Sequence, residues 1–302
     1  MRELKGIYPA IVTPFDRDGS FDPGVMRQVI QHQLRAGVHG FYVTGGTGEG
    51  LLLTQEERRE ALETVLDEGE GRVGVIAQVG AFQTGETIEL ARHASEVGVD
   101  AIAAIPPSYF FKPDTEGLVR YYSAVADASD VPLLVYNIPQ RTGISMTREL
   151  FDRLLQVPKV IGMKDSSGDV YALSLVIGSA RGVRPVIFVG EDSAVLNALL
   201  VGACGGIGGT YNIMPYLYVQ LWDAFQAGEV KEAAGIQTRI NRCLDAILTV
   251  EFIAGVKQTM MWMGFEVGEP RSPLRPLLDG EKERLRRALD DVGFFKEEAG
   301  FR

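Results

Sequence analysis

The sequence predicts an α/β fold, a (β/α)8 TIM barrel with a C-terminal helical extension. Short apolar runs alternate with amphipathic helical stretches along most of the chain, and their spacing of roughly 30 residues matches one strand–helix unit of a barrel. The length of 302 residues also fits, because such barrels commonly reach about 250 residues as one domain. A doubly wound sheet has the same local pattern, but eight consecutive units favour the closed barrel.

The predicted strands are rich in Val, Ile and Ala, and most lack alternation with polar residues. This composition is typical of parallel strands that are buried on both faces. The eight predicted strands are Tyr8–Thr13, Gly40–Thr44, Val73–Val79, Ala101–Ile105, Pro132–Ile138, Val160–Lys164, Val186–Val189 and Gly205–Gly208.

Amphipathic patterns between the strands predict helices, and Thr54 with Glu57 forms a capping box at the start of one of them. The clearest of these helices are Gln55–Glu68, Gly85–Val97, Glu116–Ala128 and Arg148–Leu155. After about residue 228 the strands stop, and three further helices are predicted, Glu229–Val250, Glu251–Met263 and Glu281–Glu298. We therefore expect a catalytic barrel over residues 1–228 and a helical region over residues 229–302.

The composition argues against several kinds of protein. The formal net charge is −10 and the basic residues are scattered, whereas a nucleic-acid partner requires clustered Lys and Arg. The N-terminal segment lacks the basic and apolar regions of a signal peptide, and no apolar run reaches the roughly 18 residues of a membrane span. Cys204 and Cys243 are too few for a disulfide framework. These features predict a cytoplasmic protein without membrane or nucleic-acid partners.

Metal and nucleotide chemistry are also not expected. The histidines, His32, His39 and His93, lack the spacing of metal ligands. The stretch Gly69–Gly74 fits G-x-G-x-x-G, but it follows a helix and precedes a strand, which is the reverse of the dinucleotide-binding order. The chain contains no G-x-S-x-G motif, so the usual serine hydrolase is not indicated.

Catalytic groups of a barrel lie at the carboxyl ends of its strands, and the second strand ends in a glycine-rich loop. Gly45–Gly50 has the sequence Gly-Gly-Thr-Gly-Glu-Gly. Glycines let a ligand approach the backbone, and successive N–H groups form a cradle for a carboxylate or phosphate. Thr47 adds a hydroxyl donor. A tight strand-to-helix turn explains the same loop equally well.

The sixth strand, Val160–Lys164, is apolar except for its last residue. Burial penalises an ammonium group and lowers its pKa, and a Schiff-base nucleophile needs such a lowered pKa near neutral pH. A lysine that extends to solvent from the strand end is the alternative. In the following turn, Ser167 or Asp169 is a candidate helix cap.

Three other strand ends carry weaker signals. The fifth strand carries Tyr136, a residue type that relays protons, and Arg141 follows it with a guanidinium that suits a carboxylate. A core tyrosine and a surface arginine are the simpler interpretation of these two residues. Asp192 follows the seventh strand, and the eighth, Gly205–Gly208, is too rich in glycine to be selected for packing. A bare backbone there indicates that main-chain groups approach a ligand.

Three motifs in this order, Gly45–Glu49, Tyr136–Pro139 and Gly162–Ser166, resemble the dihydrodipicolinate synthase/N-acetylneuraminate lyase family. The resemblance covers nearly the whole chain, from Tyr8–Phe15 to the helical tail. It implies a (β/α)8 barrel with C-terminal helices, a homotetramer as the common assembly, and a reaction that uses neither a metal nor an organic cofactor.

The resemblance also implies a role for individual residues. Lys164 would form a Schiff base with the 2-oxo carbon of a pyruvate-type substrate, and Tyr136 would transfer the proton. Gly46 and Thr47 would hold the substrate carboxylate, and the carbonyl of Ile207 would face the bound group. Further contacts with the substrate are expected from Arg141, Ser166 and Asp192.

The motifs point to two branches of the family. Gly46 stands where the synthase branch has a hydroxyl residue. Phe110 aligns with a tyrosine that, in this branch, is inserted into the active site of a neighbouring subunit. The proton relay of hydroxyl groups that the synthase branch uses would therefore lack two of its members. Arg141 nevertheless matches the synthase branch. The stretch Gly205–Met214 is similar to the sialic acid lyase branch, and Asp192 falls at a sugar contact. Two adjacent polar contacts of that branch are replaced here, by Ser193 and Gly209.

We therefore predict a class I lyase that makes or breaks a bond beside a pyruvate enamine, with a 2-oxo acid and an aldehyde as its small-molecule partners. Expected substrates are a 2-keto-3-deoxy sugar acid, a 4-hydroxy-2-oxo acid or an N-acetylneuraminate-like compound, and a dehydratase is possible on the same Schiff base. Dihydrodipicolinate synthase is the alternative enzyme. A non-catalytic 2-oxo acid binding protein is the alternative of another class, and the presence of both Lys164 and Tyr136 counts against it.

Overall fold

A computed structural model of the chain describes residues 2–108, 112–179 and 184–296. At its centre, one sheet of eight parallel strands forms a nearly closed barrel. The strands are β1 (Gly6–Pro9), β2 (Gly40–Val43), β3 (Gly74–Gln78), β4 (Ala101–Ala104), β5 (Leu133–Asn137), β6 (Val160–Asp165), β7 (Val186–Val189) and β8 (Gly205–Gly208).

The strands follow one another around the barrel in chain order. Each strand from β2 to β7 pairs with the strand that follows it in the chain, and β8 pairs with β1. A single parallel bridge between Ala10 and Tyr42 joins the segment after β1 to β2. The carboxyl ends of all the strands therefore lie at one rim, which is the catalytic face of such barrels. The predicted (β/α)8 fold is confirmed.

Most strand boundaries agree with the prediction to within one residue, but the first strand does not. The sequence predicted Tyr8–Thr13, whereas the sheet contains Gly6–Pro9. Beyond this strand, the amide of Val12 donates to the side chain of Asn212 at 3.1 Å, and the hydroxyl of Thr13 donates to the carbonyl of Gly48 at 2.7 Å. The segment is buried and apolar like a strand, but after the single bridge at Ala10 the polar groups of Val12 and Thr13 bind outside the sheet.

Helices cover the outside of the barrel. They are α1 (Pro23–Arg35), α2 (Gln55–Gly69), α3 (Thr84–Glu96), α4 (Thr115–Asp127), α5 (Pro139–Thr142), α6 (Arg148–Leu154), α7 (Val170–Ser179), α8 (Val195–Val201) and α9 (Pro215–Gln226). The predicted capping box begins α2: the Thr54 hydroxyl accepts from the Glu57 amide at 3.2 Å, and the Glu57 carboxylate accepts from the Thr54 amide at 2.9 Å. None of the helices in the described ranges is long and apolar enough to cross a membrane.

Three further helices follow residue 228: α10 (Val230–Ile247), α11 (Phe252–Trp262) and α12 (Asp279–Asp291). The last was predicted to reach Glu298, which lies outside the described residues. It ends early because Gly293 has a φ of 78°, a left-handed conformation that terminates helices. Ile236 and Leu285 of this region pack in the same apolar cluster as the barrel helices. The division of the chain at residue 228 stays a prediction.

Side chains of the strands alternate between two apolar cores. In β2, Phe41 and Val43 belong to the outer cluster between sheet and helices, whereas Tyr42 belongs to a cluster enclosed by the barrel. Both faces are apolar, which explains why the strands show little polar alternation. The inner cluster contains Leu4, Tyr8, Ala10, Tyr42, Ile76, Ala101, Ala103, Ile105, Leu134, Tyr136, Phe188 and Ile207.

The glycines of β8 provide a test of how closely the barrel backbone is packed. A Cβ atom on Gly205 would lie 2.0 Å from the carbonyl oxygen of Gly6, so Gly205→Ala should lower the free energy of unfolding by about 2 kcal/mol. Gly235→Ala in α10 is the control, because a Cβ there meets nothing within 4 Å and should add up to about 1 kcal/mol. Urea unfolding followed by circular dichroism measures both. Equal stability of the two variants would contradict the close approach.

Candidate active site

The side chain of Lys164 lies inside the barrel near the carboxyl end of β6. Lys164 is in register with Tyr136 of β5 and Phe188 of β7, and it is only 3% exposed. The alternative of a lysine that extends to solvent is therefore wrong. Burial lowers the pKa of Lys164 to about 7, and the negative charge of Asp192 acts in the opposite direction. Near neutral pH a large fraction of the amine is uncharged and nucleophilic.

Two tyrosine rings flank this amine. The Nζ atom of Lys164 lies 4.0 Å from the ring centroid of Tyr42 and 4.3 Å from that of Tyr136. Burial raises the pKa of Tyr136 to about 12, and a hydrogen bond with the Ser166 side chain partly offsets this effect. The phenol of Tyr136 therefore keeps its proton at neutral pH, as a proton donor beside the amine must.

The glycine-rich loop after β2 has a constrained backbone. Thr44 and Glu49, near its two ends, both have a φ of 56°, a left-handed conformation that costs a non-glycine residue about 1–2 kcal/mol. A Cβ atom on Gly50 would lie 1.9 Å from the carbonyl oxygen of Thr44. Between these residues, Gly46 is exposed and Thr47 is half-buried. The tight loop thus leaves Gly46 and Thr47 accessible at the rim.

A buried ion pair anchors this loop. The side chains of Glu49 and Lys257 are both fully buried, and Nζ lies 2.6 Å from Oε1. Oε2 accepts a hydrogen bond from the amide of Arg271 at 2.6 Å, and Nζ donates to the carbonyl of Glu269 at 3.2 Å. Burial lowers the pKa of Lys257 to about 8, although the Glu49 carboxylate acts to raise it. The pair fixes the loop to α11 and the segment that follows.

Sequence reasoning missed this ion pair. Its partners lie more than 200 residues apart, and Glu49 was noted only as part of the glycine motif. One signal was available, since Lys257 is the only charged residue in the apolar helix Phe252–Trp262. A single charge in an apolar helix indicates a buried partner.

Asp192 is buried at the start of a short 3-10 turn, Asp192–Ala194, after β7. Its Oδ2 accepts hydrogen bonds from the amide and hydroxyl of Thr210 at 2.8 and 2.6 Å, and that hydroxyl lies 2.7 Å from the hydroxyl of Tyr218. Oδ1 has no hydrogen-bond partner within the described residues. Burial raises the pKa of Asp192 to about 6, and the bonds from Thr210 partly offset this. One carboxylate oxygen is thus fixed and the other is available to a ligand.

The remaining predicted site residues differ in their surroundings. Ser166 packs over Gly190, where a Cβ atom would lie 2.0 Å from the serine Oγ. Arg141 is exposed on α5, and its charge acts to lower the pKa of Tyr136. Ile207 has its side chain in the inner core. Phe110, the predicted counterpart of the inserted tyrosine, lies outside the described residues.

The loop after β2 meets the end of β8. The hydroxyl of Thr47 lies 2.8 Å from the position that a Cβ atom on Gly209 would occupy. The bare backbone at Gly209 therefore leaves room for Thr47, as well as for the ring of Phe252, which is equally close. Across residues 2–108, 112–179 and 184–296, no three His, Cys, Asp or Glu side chains are arranged to hold a metal ion.

Comparison with known proteins agrees with this geometry. The model of the dihydrodipicolinate synthetase family matches residues 3–292. An N-acetylneuraminate lyase of Mediterraneibacter gnavus is 36% identical over 296 residues, which are 97% of this chain and 93% of that protein. A structure of a catalytic lysine mutant of Ruminococcus gnavus sialic acid aldolase superposes with a TM-score of 0.92 at 35% identity, and the match covers 99% of each chain.

A second solved structure represents the other branch. A dihydrodipicolinate synthase from Bacillus anthracis superposes with a TM-score of 0.91 at 30% identity, over 96% of this chain and 99% of that one. The chain belongs to the dihydrodipicolinate synthetase family. The predicted family is confirmed, and with it the predicted class of enzyme, a pyruvate-dependent lyase that uses a lysine Schiff base.

The Glu49–Lys257 pair leads to a stability prediction. Lys257→Met would leave a buried carboxylate without its cation, and removal of one partner from a buried pair costs about 3–5 kcal/mol. Replacement of both charges by neutral groups of similar size is often nearly neutral. We expect Lys257→Met to lower the free energy of unfolding by about that amount, and Glu49→Gln/Lys257→Met to recover most of it. Urea unfolding compares the two, and a double variant no more stable than the single one would contradict the pairing.

Proposed function

We propose that this protein is a class I aldolase that cleaves or forms a carbon–carbon bond beside a pyruvate unit held as a Schiff base on Lys164. One observation carries the proposal: a buried amine with a pKa of about 7 lies against the ring of Tyr136, inside the barrel near the carboxyl ends of the strands. Family membership supports it, because the family already supplies the lysine Schiff base.

The first step forms the Schiff base. The uncharged amine of Lys164 adds to the 2-oxo carbon, and a nitrogen–carbon double bond finally replaces the carbon–oxygen double bond. The oxygen leaves as water after it receives two protons, one from the amine and one from the phenol of Tyr136, which is the donor beside the amine. The result is an iminium cation, and donors at Gly46 and Thr47 would hold the neighbouring carboxylate.

The second step breaks the bond between carbons 3 and 4. The iminium accepts the electron pair of that bond, while the hydroxyl on carbon 4 loses its proton to the Tyr136 oxygen and becomes the aldehyde. Carbon 3 of the resulting enamine then takes up the proton that Tyr136 received, which restores the iminium. Water hydrolyses this iminium, and the proton released returns to the Tyr136 oxygen. Pyruvate leaves, and the amine of Lys164 is restored.

The substrate we propose is a 2-keto-3-deoxy sugar acid of the N-acetylneuraminate-like type. Such a compound carries a hydroxylated chain beyond carbon 4, and the unpaired Oδ1 of Asp192 is a buried acceptor for one of these hydroxyls. The curated relatives named N-acetylneuraminate lyase support this choice. A 4-hydroxy-2-oxo acid is the smaller member of the same class.

Dihydrodipicolinate synthase is a second candidate, which the arginine at position 141 favours. Arg141 lies on α5 at the strand-end rim, where a guanidinium suits the carboxylate of a second substrate. Complementation of a lysine-pathway deletion strain separates the two functions, since only a synthase restores growth. A pyruvate-binding protein without catalysis would bind pyruvate as tightly after Lys164→Ala and would turn over neither substrate.

We also propose a homotetramer in the cytoplasm. A tetramer is the common assembly of the family that this chain resembles, and its interfaces would be able to cover exposed apolar side chains such as Phe82, Tyr171 and Leu200, which are 59%, 73% and 55% exposed in the single chain. Cys204 and Cys243 form no disulfide within the described residues, which agrees with a reducing compartment. Size-exclusion chromatography with light scattering tests the assembly.

Trapping the Schiff base tests the function directly. Incubation with pyruvate and borohydride should add one reduced pyruvate to Lys164, located by peptide mass spectrometry, whereas Lys164→Met should give no adduct. Because only the neutral amine reacts, the trapping rate should fall about tenfold per pH unit below the Lys164 pKa of about 7 and level off above it. A folded protein that forms no adduct, or an adduct elsewhere, would contradict the proposal.

Substitution of Asp192 tests two proposed effects of its carboxylate, the contact with a substrate hydroxyl and the influence on the pKa of Lys164. Asp192→Asn should raise the KM for the sugar acid at least about tenfold, because a charged acceptor for a hydroxyl contributes about 1.5–3 kcal/mol. The Asp192 charge acts to raise the pKa of Lys164, so its removal should shift the pyruvate-trapping profile to lower pH. Glu191→Gln is the control and should leave both unchanged. An unaltered KM in Asp192→Asn would rule out the proposed hydroxyl contact.

A further inference from the structure

Tyr42 is a buried residue of the barrel interior whose polar group has no evident structural purpose. It is fully buried in β2, yet its hydroxyl has no hydrogen-bond partner within the described part of the chain. An unpaired buried hydroxyl costs about 1–3 kcal/mol, so a phenylalanine would serve packing better. The hydroxyl is therefore not held by any contact in this part of the chain, and a role of Tyr42 beyond packing falls to its ring, which contacts Lys164.

The ring of Tyr42 makes close contact with the nucleophile. Nζ of Lys164 lies over its face, 4.0 Å from the centroid, slightly closer than the 4.3 Å to the ring of Tyr136. The two rings meet edge to face, with centroids 6.0 Å apart and planes at 83°. The amine thus faces two aromatic rings, and no ion pair within the described residues includes Lys164.

We propose that Tyr42 is a further catalytic residue of the aldolase reaction, because its ring face stabilises the cation that forms on Nζ of Lys164. The face of an aromatic ring carries negative charge and attracts cations at this distance, most strongly where water is excluded. The same nitrogen bears the charge in the ammonium and in the iminium. At a pH above the pKa of Lys164 the free amine is neutral, so formation of the iminium creates the positive charge. The ring then stabilises the iminium but not the free amine.

Other charged and titratable groups near the amine act differently. Tyr136 faces it from β5 and Asp192 from the turn after β7. The adjacent Asp165 has its carboxylate bonded to the side chains of Asn137 and Ser167. Asp192 stabilises a cation through its charge, which protonation removes near its pKa of about 6. The ring of Tyr42 has no such titration in the working range, because burial holds its pKa well above the ordinary value.

The test replaces Tyr42 by rings of nearly equal shape and decreasing electron density. Tyr42→Phe removes only the unpaired hydroxyl, and phenylalanines with one, two and three fluorine atoms at position 42 then weaken the ring face stepwise. The apparent Kd for pyruvate comes from the yield of cyanoborohydride-reduced adduct on Lys164 at pH 8.5 and pH 5.5. This inference rests on the proposed Schiff base, which the wild-type adduct establishes separately.

At pH 8.5, Tyr42→Phe should bind pyruvate within about twofold of the wild type, and the Kd should rise with each fluorine. The full series should span roughly threefold to thirtyfold, the range that corresponds to a cation–π contact. At pH 5.5 the free amine already carries a positive charge, so the ring stabilises the free ammonium and the iminium alike. The Kd for pyruvate should then be nearly the same for all the ring variants. Only an effect on the cation produces this dependence on pH.

Three results would overturn the inference while leaving the Schiff base intact. A flat fluorine series at pH 8.5 would mean that the ring face contributes nothing to the iminium. An equal rise in Kd at both pH values would mean that fluorine disturbs packing, which is a structural effect. Tyr42→Leu, which removes the ring, should give the largest rise in Kd at pH 8.5, and a value like that of Tyr42→Phe would also overturn it.

Discussion

The burial of one primary amine is the constraint on which the rest of this site depends. An ammonium ion loses its hydration inside the barrel, and the loss lowers the pKa of Lys164 to about 7. Without nearby compensation, the cation formed in the reaction would face the same penalty. The two tyrosine rings and the Asp192 carboxylate reduce it from different sides. The site is thus apolar enough to free the amine and polarisable enough to tolerate its charged products.

A second constraint fixes the loop at the end of β2. The backbone there has left-handed conformations at Thr44 and Glu49, which relax unless the surroundings hold them. The ion pair of Glu49 with Lys257 supplies that support from α11. The C-terminal helices therefore contribute to the site although they carry none of the predicted catalytic groups. Barrel and extension share an apolar cluster, and this buried charge pair connects the extension to the loop itself.

Much of the fold and the centre of the site could be predicted from the sequence, because both depend on local patterns. Buried parallel strands are apolar runs, and a lysine at the end of such a run is conspicuous; Val160–Lys164 shows both. Tyr42, by contrast, resembles any core aromatic, and the Glu49–Lys257 and Asp192–Thr210 contacts join distant segments. The first strand was misplaced because the segment after Pro9 is buried like a strand, although from Val12 on its polar groups bind outside the sheet. Contacts of this kind depend on tertiary packing, which the local pattern does not encode.

The glycines of β8 have a consequence for how this enzyme can diversify. A Cβ atom on Gly205, Gly206, Gly208 or Gly209 would lie within 2.8 Å of existing atoms, several of them backbone atoms or rings. One wall of the site therefore tolerates no change of side chain, whether by natural drift or by laboratory engineering. New substrate ranges must arise from the exposed parts of the rim, such as the loop of Gly46 and the helix of Arg141. The glycine strand therefore stays constant, while the exposed loops at the rim remain open to selection.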